Sequence, residues 1–137
     1  MLRKQFTMYL ENRPGALART AQILSKASVN IEGISAAQTS DMTLVQLITS
    51  NPVKARKALK TAGVPFTVQD VAILMLDDKP GALANVATEL AANGVNINFL
   101  YGTAGENGNP GSCLLVLGAD DLSKLRKTGL RASKGLK

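Results

Sequence analysis

A chain of 137 residues holds one domain of ordinary size or two small ones, and its 45% hydrophobic and 19% charged residues are typical of a folded globular protein. No apolar run approaches the ~18 residues of a membrane span, and the N-terminal MLRKQFTMYL lacks the apolar core of a signal peptide, so we expect a cytoplasmic protein without membrane contact. The net charge of +6 raises the question of nucleic acid. No recognition helix or interleaved aromatic residues accompany the basic side chains, which argues against it.

The first half of the chain reads as four strands and two helices. Phe6, Met8 and Leu10 alternate with polar residues, which predicts a strand. After Pro14-Gly15, apolar residues recur at helical spacing and predict an amphipathic helix with Leu17 among its inward residues. The rest of this half is predicted as two strands, a helix and a short strand: 29–38, 43–49, Pro52–Lys60 and 66–68.

The second half repeats this order with local changes. A continuously apolar strand, 71–76, precedes a helix over 80–92 with Leu83, Val86 and Leu90 directed inward. A strand over 95–101, a flexible loop over 105–111 and a strand over 113–117 follow, and Cys113 in that last strand is expected to be a small core residue. The chain is then predicted to end with a helix over 121–127 and a weak edge strand over 130–133.

An internal repeat relates the two halves. The segment LENRPGALARTAQILSKASVNIEGI, residues 10–34, returns 66 residues later as LDDKPGALANVATELAANGVNINFL, residues 76–100. The shared positions cluster in the P-G-A-L-A turn and in the V-N-I that follows the helix. One supersecondary unit therefore occurs twice, and any site in it occurs at two matched positions.

The order βαββαβ indicates an α+β fold of the ferredoxin-like plan. We expect two tandem copies packed side by side, residues 1–70 and 71–137. Each copy is close to the size at which a domain buries only ~60% of its surface, so association with the other copy or with a second chain is expected. We therefore expect a homodimer with a two-fold interface.

The two signatures, E-N-R-P-G-A-L-A followed by V-N-I-E and D-D-K-P-G-A-L-A followed by G-V-N-I-N, resemble the ACT domain family. The resemblance covers nearly the whole chain and is similar to the small tandem ACT proteins that have no attached enzyme. It implies two ACT-like domains that bind an amino acid or another small metabolite at a domain interface and regulate a partner enzyme.

The resemblance also implies where the ligand binds. In the ACT domains of acetolactate synthase regulatory subunits, the feedback amino acid uses an Asn and a Gly of the turn after the first strand and an Asn on the second strand. The candidate ligand-binding residues are these positions and their neighbours. In the first copy they are Asn12, Gly15, Ala16, Leu17, Asn30 and Ile31. In the second copy they are Asp78, Gly81, Ala82, Leu83, Asn96 and Ile97.

The chemistry of the turn independently favours a polar ligand. The free N–H groups and the dipole at a helix start attract a carboxylate, and a glycine lets a ligand or another backbone approach closely. Asn12 can donate or accept, whereas ionised Asp78 only accepts, so the second site should favour an ammonium.

Structural interpretations of the same residues stay open. Pro14 and Pro80 suit the first turn of a helix, Asn12 and Asp78 suit its cap, and the two glycines suit the geometry or packing of the turn. Asn30 and Asn96 suit the start of a strand, where such side chains commonly satisfy backbone groups.

The sequence gives little support for a catalytic function. The chain contains no histidine, which removes the usual general base and the commonest metal ligand. No nucleophile elbow, P-loop, zinc or redox motif occurs either, so we expect no catalytic residue, metal or cofactor. The leading hypothesis is a non-enzymatic, amino-acid-binding regulator. The alternatives are a dedicated regulatory subunit of an amino-acid biosynthetic enzyme such as acetolactate synthase, and a structural or nucleic-acid-associated module.

Overall fold

The structure is a computed structural model that describes residues 2–106 and 109–130. Within them the chain forms six strands, three α-helices and a 3₁₀ helix. The strands are β1 Leu2–Glu11, β2 Ile31–Thr39, β3 Met42–Thr49, β4 Thr67–Asp77, β5 Ile97–Glu106 and β6 Asn109–Ala119. The helices are α1 Ala16–Lys26, α2 Pro52–Thr61, α3 Ala82–Ala92 and the 3₁₀ helix Leu122–Lys127. This is the predicted α+β order of strands and helices. The order strand, helix, strand, strand, helix occurs twice along the chain.

Two compact units divide the chain. The first comprises residues 4–69, and the second comprises the first residues of β1, including Leu2 and Arg3, together with the chain from Asp70 onward. In the first unit, β3 lies between β2 and β1 and pairs antiparallel with both. In the second unit, β6 lies between β4 and β5 and pairs antiparallel with both.

Each unit has its own hydrophobic core between its sheet and its helices. In the first unit the core contains Phe6 and Met8 of β1, Leu24 of α1 and Leu59 of α2. In the second unit the matched positions of β4 are Ala72 and Leu74, and Leu90 of α3 repeats the buried position of Leu24. The helices therefore bury the faces that the 3.6-residue period predicts, except in their first turns.

Leu17 and Leu83 are the exceptions, because the prediction that they point inward is wrong. Leu17 is 38% exposed and Leu83 is 50% exposed. The first buried positions are instead Thr20 and Val86, three residues further along each helix. α1 begins directly after Gly15, as predicted, whereas α3 begins at Ala82, two residues later than predicted. In both helices the first turn carries no buried residue.

Three further predictions need correction. The strands predicted at 66–68 and 71–76 form one strand, β4, because no turn residue separates them. The loop predicted over 105–111 is shorter, since β5 continues to Glu106 and β6 begins at Asn109. The strand register shifts between Ala104 and Glu106, where β6 has two residues more than β5. The closing helix is a 3₁₀ helix, and residues 131–133 of the predicted edge strand lie outside the described residues.

None of the helices in the described ranges is long and apolar enough to cross a membrane.

Candidate functional site

The turn between β1 and α1 is built from backbone hydrogen bonds and one left-handed glycine. The N–H of Arg13 donates to the carbonyl of Glu11 at 2.9 Å, and the N–H of Ala16 donates to that of Arg13 at 3.4 Å. Gly15 is the N-cap of α1 with φ +88° and ψ −13°. Side chains with a Cβ rarely adopt this conformation, so the chain needs glycine here to enter the helix.

The turn between β4 and α3 has the same construction. The N–H of Lys79 donates to Asp77 at 3.0 Å, and that of Ala82 donates to Lys79 at 3.2 Å. Gly81 is the N-cap of α3 with φ +88° and ψ −12°. A Cβ at Gly15 or Gly81 would meet no atom within 4 Å. Turn geometry therefore explains both glycines, whereas close packing against the rest of the chain does not.

The capping interpretation of Asn12 and Asp78 is not supported. Neither α1 nor α3 has a side-chain cap, and the N-cap residue of each is the glycine. Pro14 and Pro80 accordingly precede the N-cap instead of occupying the first helical turn. The N–H groups of Ala16 and Ala82 bond within the turn. Those of the next two residues of each helix, 17–18 and 83–84, have no partner inside the helix and no side-chain cap, so they are left to solvent or to a ligand.

The Asn12 side chain bonds across the sheet. Thr43 Oγ1 donates to Asn12 Oδ1 at 3.3 Å, and the Asn12 N–H donates to the carbonyl of Asp41 at 3.3 Å. In the second turn the Asp78 N–H donates to the carbonyl of Gly111 at 2.7 Å. The residue matched to Thr43 is Cys113, since Thr43 is paired with Leu10 and Cys113 with Leu76.

This exchange leaves the two turns chemically different. Cys113 is half-buried and packs against the core of its unit, as predicted, so no hydroxyl is available to Asp78 at that place. The change from Asn12 to Asp78 thus accompanies the change from Thr43 to Cys113.

An exposed ion pair flanks each turn at matched positions. Arg13 pairs with Glu11 through Nε and Oε2, and Lys79 Nζ lies 3.2 Å from Asp77 Oδ2. Exposed pairs of this kind contribute little to stability. Their consequence is local, because each places a cation two residues before the N-cap glycine.

Asn30 and Asn96 directly precede the strands β2 and β5, beside matched bulges. The Asn30 N–H donates to Ser50 Oγ at 2.9 Å, and the Asn30 carbonyl accepts from the Ser50 N–H at 2.9 Å. Asn96 Nδ2 donates to Asn98 Oδ1 at 3.1 Å. The strand register shifts between Ile31 and Gly33 and again, 66 residues later, between Ile97 and Phe99. A bulge turns the neighbouring side chains relative to the sheet, and bulges often lie beside binding sites.

The cavities described do not join the two parts of the predicted site. Asn30 and Ile31 line a shallow depression of about 430 Å³ beside α1 and the loop after it, to which Asn12–Leu17 contributes nothing. A cavity of about 400 Å³ beside the second turn includes Asp77, Lys79 and Ala82 but not Asn96. Asp78, Gly81, Leu83 and Asn96 are exposed, and Ile97 is 37% exposed.

Sequence reasoning missed the side chains that distinguish the turns. Thr43 and Cys113 are brought beside the turns by the register of strand pairing, which no local sequence pattern reveals. The ion pairs at 11/13 and 77/79 left a weak signal, because both copies keep an acid and a base at these positions. Neither Ser50 nor the two bulges left a signal in the sequence.

Together, the repeated strand-turn-helix with a glycine N-cap and no side-chain cap defines a duplicated α+β module. Comparison with known proteins agrees. A model of the ACT domain pair matches residues 1–132. The chain therefore belongs to the ACT domain pair family, whose domains are regulatory and bind small-molecule ligands.

Solved structures show the same fold. Protein BT0572 from Bacteroides thetaiotaomicron is 30% identical, with a TM-score of 0.83 over 96% of this chain and 93% of that one. The regulatory subunit of aspartate kinase from Thermus thermophilus is 15% identical, with a TM-score of 0.63 over 90% of this chain and 88% of that one. A structure of aspartokinase alpha and beta subunits gives 12% identity and a TM-score of 0.60 over 85% and 81%. No curated protein sequence matches the chain.

Proposed function

We propose that this protein is a non-enzymatic regulator that binds a zwitterionic amino acid at the Asn12–Leu17 turn with Asn30, and at the 78–83 turn with Asn96. The observation that carries the proposal is the duplicated, uncapped helix start with a left-handed glycine N-cap. In both copies the N–H groups of the second and third helical residues have no partner within the helix, and no side chain caps them.

The charges around the turn suit the two ends of such a ligand. The carboxylate would accept from the N–H groups of the second and third helical residues, with the Arg13 or Lys79 cation nearby. Asn30 and Asn96 would bind the ammonium end through their side-chain oxygens. Since Thr43 already donates to Asn12 Oδ1, the Asn12 amide N–H₂ is the group that remains for the ligand.

The two parts of the site would meet in a homodimer. No described cavity holds both the Asn12–Leu17 turn and Asn30 of one chain. Leu17 and Leu83, exposed at matched positions beside the turns, are apolar surface that a two-fold contact would cover. Light scattering at micromolar concentration should then give a dimer mass, and a monomer with and without ligand would contradict it.

The second turn should prefer a different ligand or a different pose. Asp78 carries a negative charge where Asn12 is neutral, and Cys113 replaces the hydroxyl of Thr43. The carboxylate of an amino acid would meet repulsion there, whereas its ammonium would be attracted. We therefore expect unequal affinities at the two turns.

The proposed target of regulation is an enzyme of amino-acid metabolism. Structures of similar fold include regulatory subunits of aspartate kinase, and this similarity favours a dedicated regulatory subunit as the second candidate function. Co-purification of a catalytic subunit with the tagged protein would support this second candidate. An enzyme whose activity responds to the protein only when amino acid is present would support both.

A screen of the twenty amino acids by thermal shift, followed by calorimetry, tests the proposal. A ligand that binds only the native state raises stability with concentration. Asn12→Ala and Asn30→Ala should each weaken binding by about 5- to 150-fold, which is the ~1–3 kcal/mol of a hydrogen bond to a charged ligand.

The matched control is Asn51→Ala. Asn51 caps α2 through the N–H of Lys54, so its loss lowers stability without touching the turn. The proposal fails if no amino acid binds, or if all three variants lower the melting temperature and leave the affinity unchanged.

A further inference from the structure

The second unit contains a cavity whose lining includes no residue of either turn. It has a volume of about 390 Å³ and lies between β4 and the 3₁₀ helix, with Thr128 and Leu130 after that helix also in its lining. Six apolar residues line it: Leu2, Ala72, Leu74, Leu122, Leu125 and Leu130. Ala72 and Leu74 form a buried floor, whereas Leu2 is exposed at the rim. A volume of this size falls within the range of small-molecule sites.

In the first unit the same place is filled by an aromatic side chain. Phe6 and Ala72 are matched by the repeat, and the sheets confirm it, because Phe6 is paired with Leu47 and Ala72 with Leu117. Phe6 is fully buried and contacts Phe66, with ring centroids 5.4 Å apart and the rings tilted by 57°. The second unit thus has a methyl group where the first has a phenyl ring.

The helices above these positions differ as well. Asn51 and Asp121 are matched N-caps, each with an extended backbone and a side chain that accepts from a following N–H. Eight residues after the cap, α2 places the fully buried Leu59 over Phe6. In the second unit, the residue eight positions after Asp121 is Gly129, which lies beyond the end of the 3₁₀ helix. Leu125 replaces the smaller Ala55 and restores part of the lost volume, but the cavity remains.

The polar residues of the cavity give it one positive charge. Its remaining lining consists of Ser123, Arg126 and Thr128. Ser123 Oγ donates to Asp121, and Thr128 Oγ1 donates to the carbonyl of Leu125 at 2.8 Å. Arg126 is exposed and forms no ion pair within the described part of the chain, so its five donors are available to an anion.

We propose that this cavity binds a small aromatic carboxylate, whose ring takes the place that Phe6 has in the first unit and whose carboxylate contacts Arg126. The ring would restore the aromatic packing that β4 lacks, while the carboxylate stays at the solvent-exposed rim. The site is separate from the amino-acid turns, since it contains none of Asn12–Leu17, Asn30, Asp78–Leu83 or Asn96.

The test uses the full chain and 3-phenylpropanoate as the probe, with 3-phenylpropanamide as its uncharged counterpart. For a ligand of this size the expected dissociation constant is on the order of 1 mM, so methyl NMR is the measurement. Saturable shifts of the leucine methyls at 74, 122, 125 and 130, with nuclear Overhauser effects to the ring, support the proposal.

Two variants and one matched control locate the probe. Ala72→Phe fills the cavity with the residue of the first unit and should abolish binding. Arg126→Gln should weaken it about two- to fivefold and bring the carboxylate to the level of the amide. Arg56→Gln removes the matched charge from α2, which has no such cavity, and should change nothing. Asn12→Ala should also leave this binding intact, which separates the test from that of the amino-acid site.

The proposal is overturned by any of three results. These are no saturable shift, binding that survives in folded Ala72→Phe, and an Arg126→Gln variant that behaves like Arg56→Gln. If Ala72→Phe does not fold, the wild-type spectra decide. In those spectra, the absence of Overhauser effects between the lining leucines and the probe counts as no binding in the cavity.

Discussion

Replacing Gly15 or Gly81 by alanine tests the account of the two turns. Both glycines are N-caps with φ +88° and ψ within one degree of each other. An L-residue in the left-handed region costs about 1–2 kcal/mol. A Cβ at either position meets nothing within 4 Å, so no steric term adds to this figure.

We therefore expect Gly15→Ala and Gly81→Ala each to lower the free energy of unfolding by about 1–2 kcal/mol, and by the same amount within ~0.5 kcal/mol. For a chain of this length, that corresponds to a fall of roughly 3–10 °C in melting temperature. Denaturant unfolding followed by circular dichroism measures the difference.

Gly129→Ala is the matched control. Gly129 lies outside the left-handed region, and its Cβ also meets nothing within 4 Å. Alanine there should be neutral or should stabilise by up to ~1 kcal/mol, because it restricts the unfolded chain. The reasoning is refuted if the turn variants are no less stable than this control, or if they lose more than about 3 kcal/mol, which would require a steric contact.

Three other predictions follow from single residues. Phe6→Ala should cost about 3–5 kcal/mol in denaturant unfolding, because it opens a fully buried position, and a loss below ~1 kcal/mol would contradict the packing described. Asn51→Ala should cost about 1 kcal/mol by the same measurement through loss of the α2 cap, and a serine at this position should recover most of it. Burial raises the pKa of the Tyr101 hydroxyl above its ordinary value. The contribution of the protonated tyrosine to stability is therefore complete below pH ~10, the pKa in the unfolded chain, and is lost as the pH rises above it. In a Tyr9→Phe variant, in which Tyr101 is the remaining tyrosine, absorbance at 295 nm at pH ~10 should show no phenolate while circular dichroism shows a folded protein. Phenolate absorbance at this pH in the folded protein would disprove the burial.

The sequence by itself determined the features that depend on neighbours along the chain. The 66-residue repeat placed the same turn in both halves, and the hydrophobic periods located α1, α2 and α3 to within two residues. Glycine at 15 and 81 indicated a special backbone conformation, which the φ values confirm. These are local properties, because a helical period, a turn and a left-handed residue each involve only a few consecutive residues.

The tertiary structure alone decided what the repeated residues contact. Pairing of β1 with β3 brings Thr43 to Asn12, and the matched pairing of β4 with β6 brings Cys113 to the second turn instead. Likewise, Ala72 appears in the sequence as one more apolar residue of a strand, and its consequence emerges only beneath a short 3₁₀ helix. Such contacts depend on strand register and on the length of a packed helix, which are set by residues distant in the chain, so two nearly identical segments acquire different chemistry.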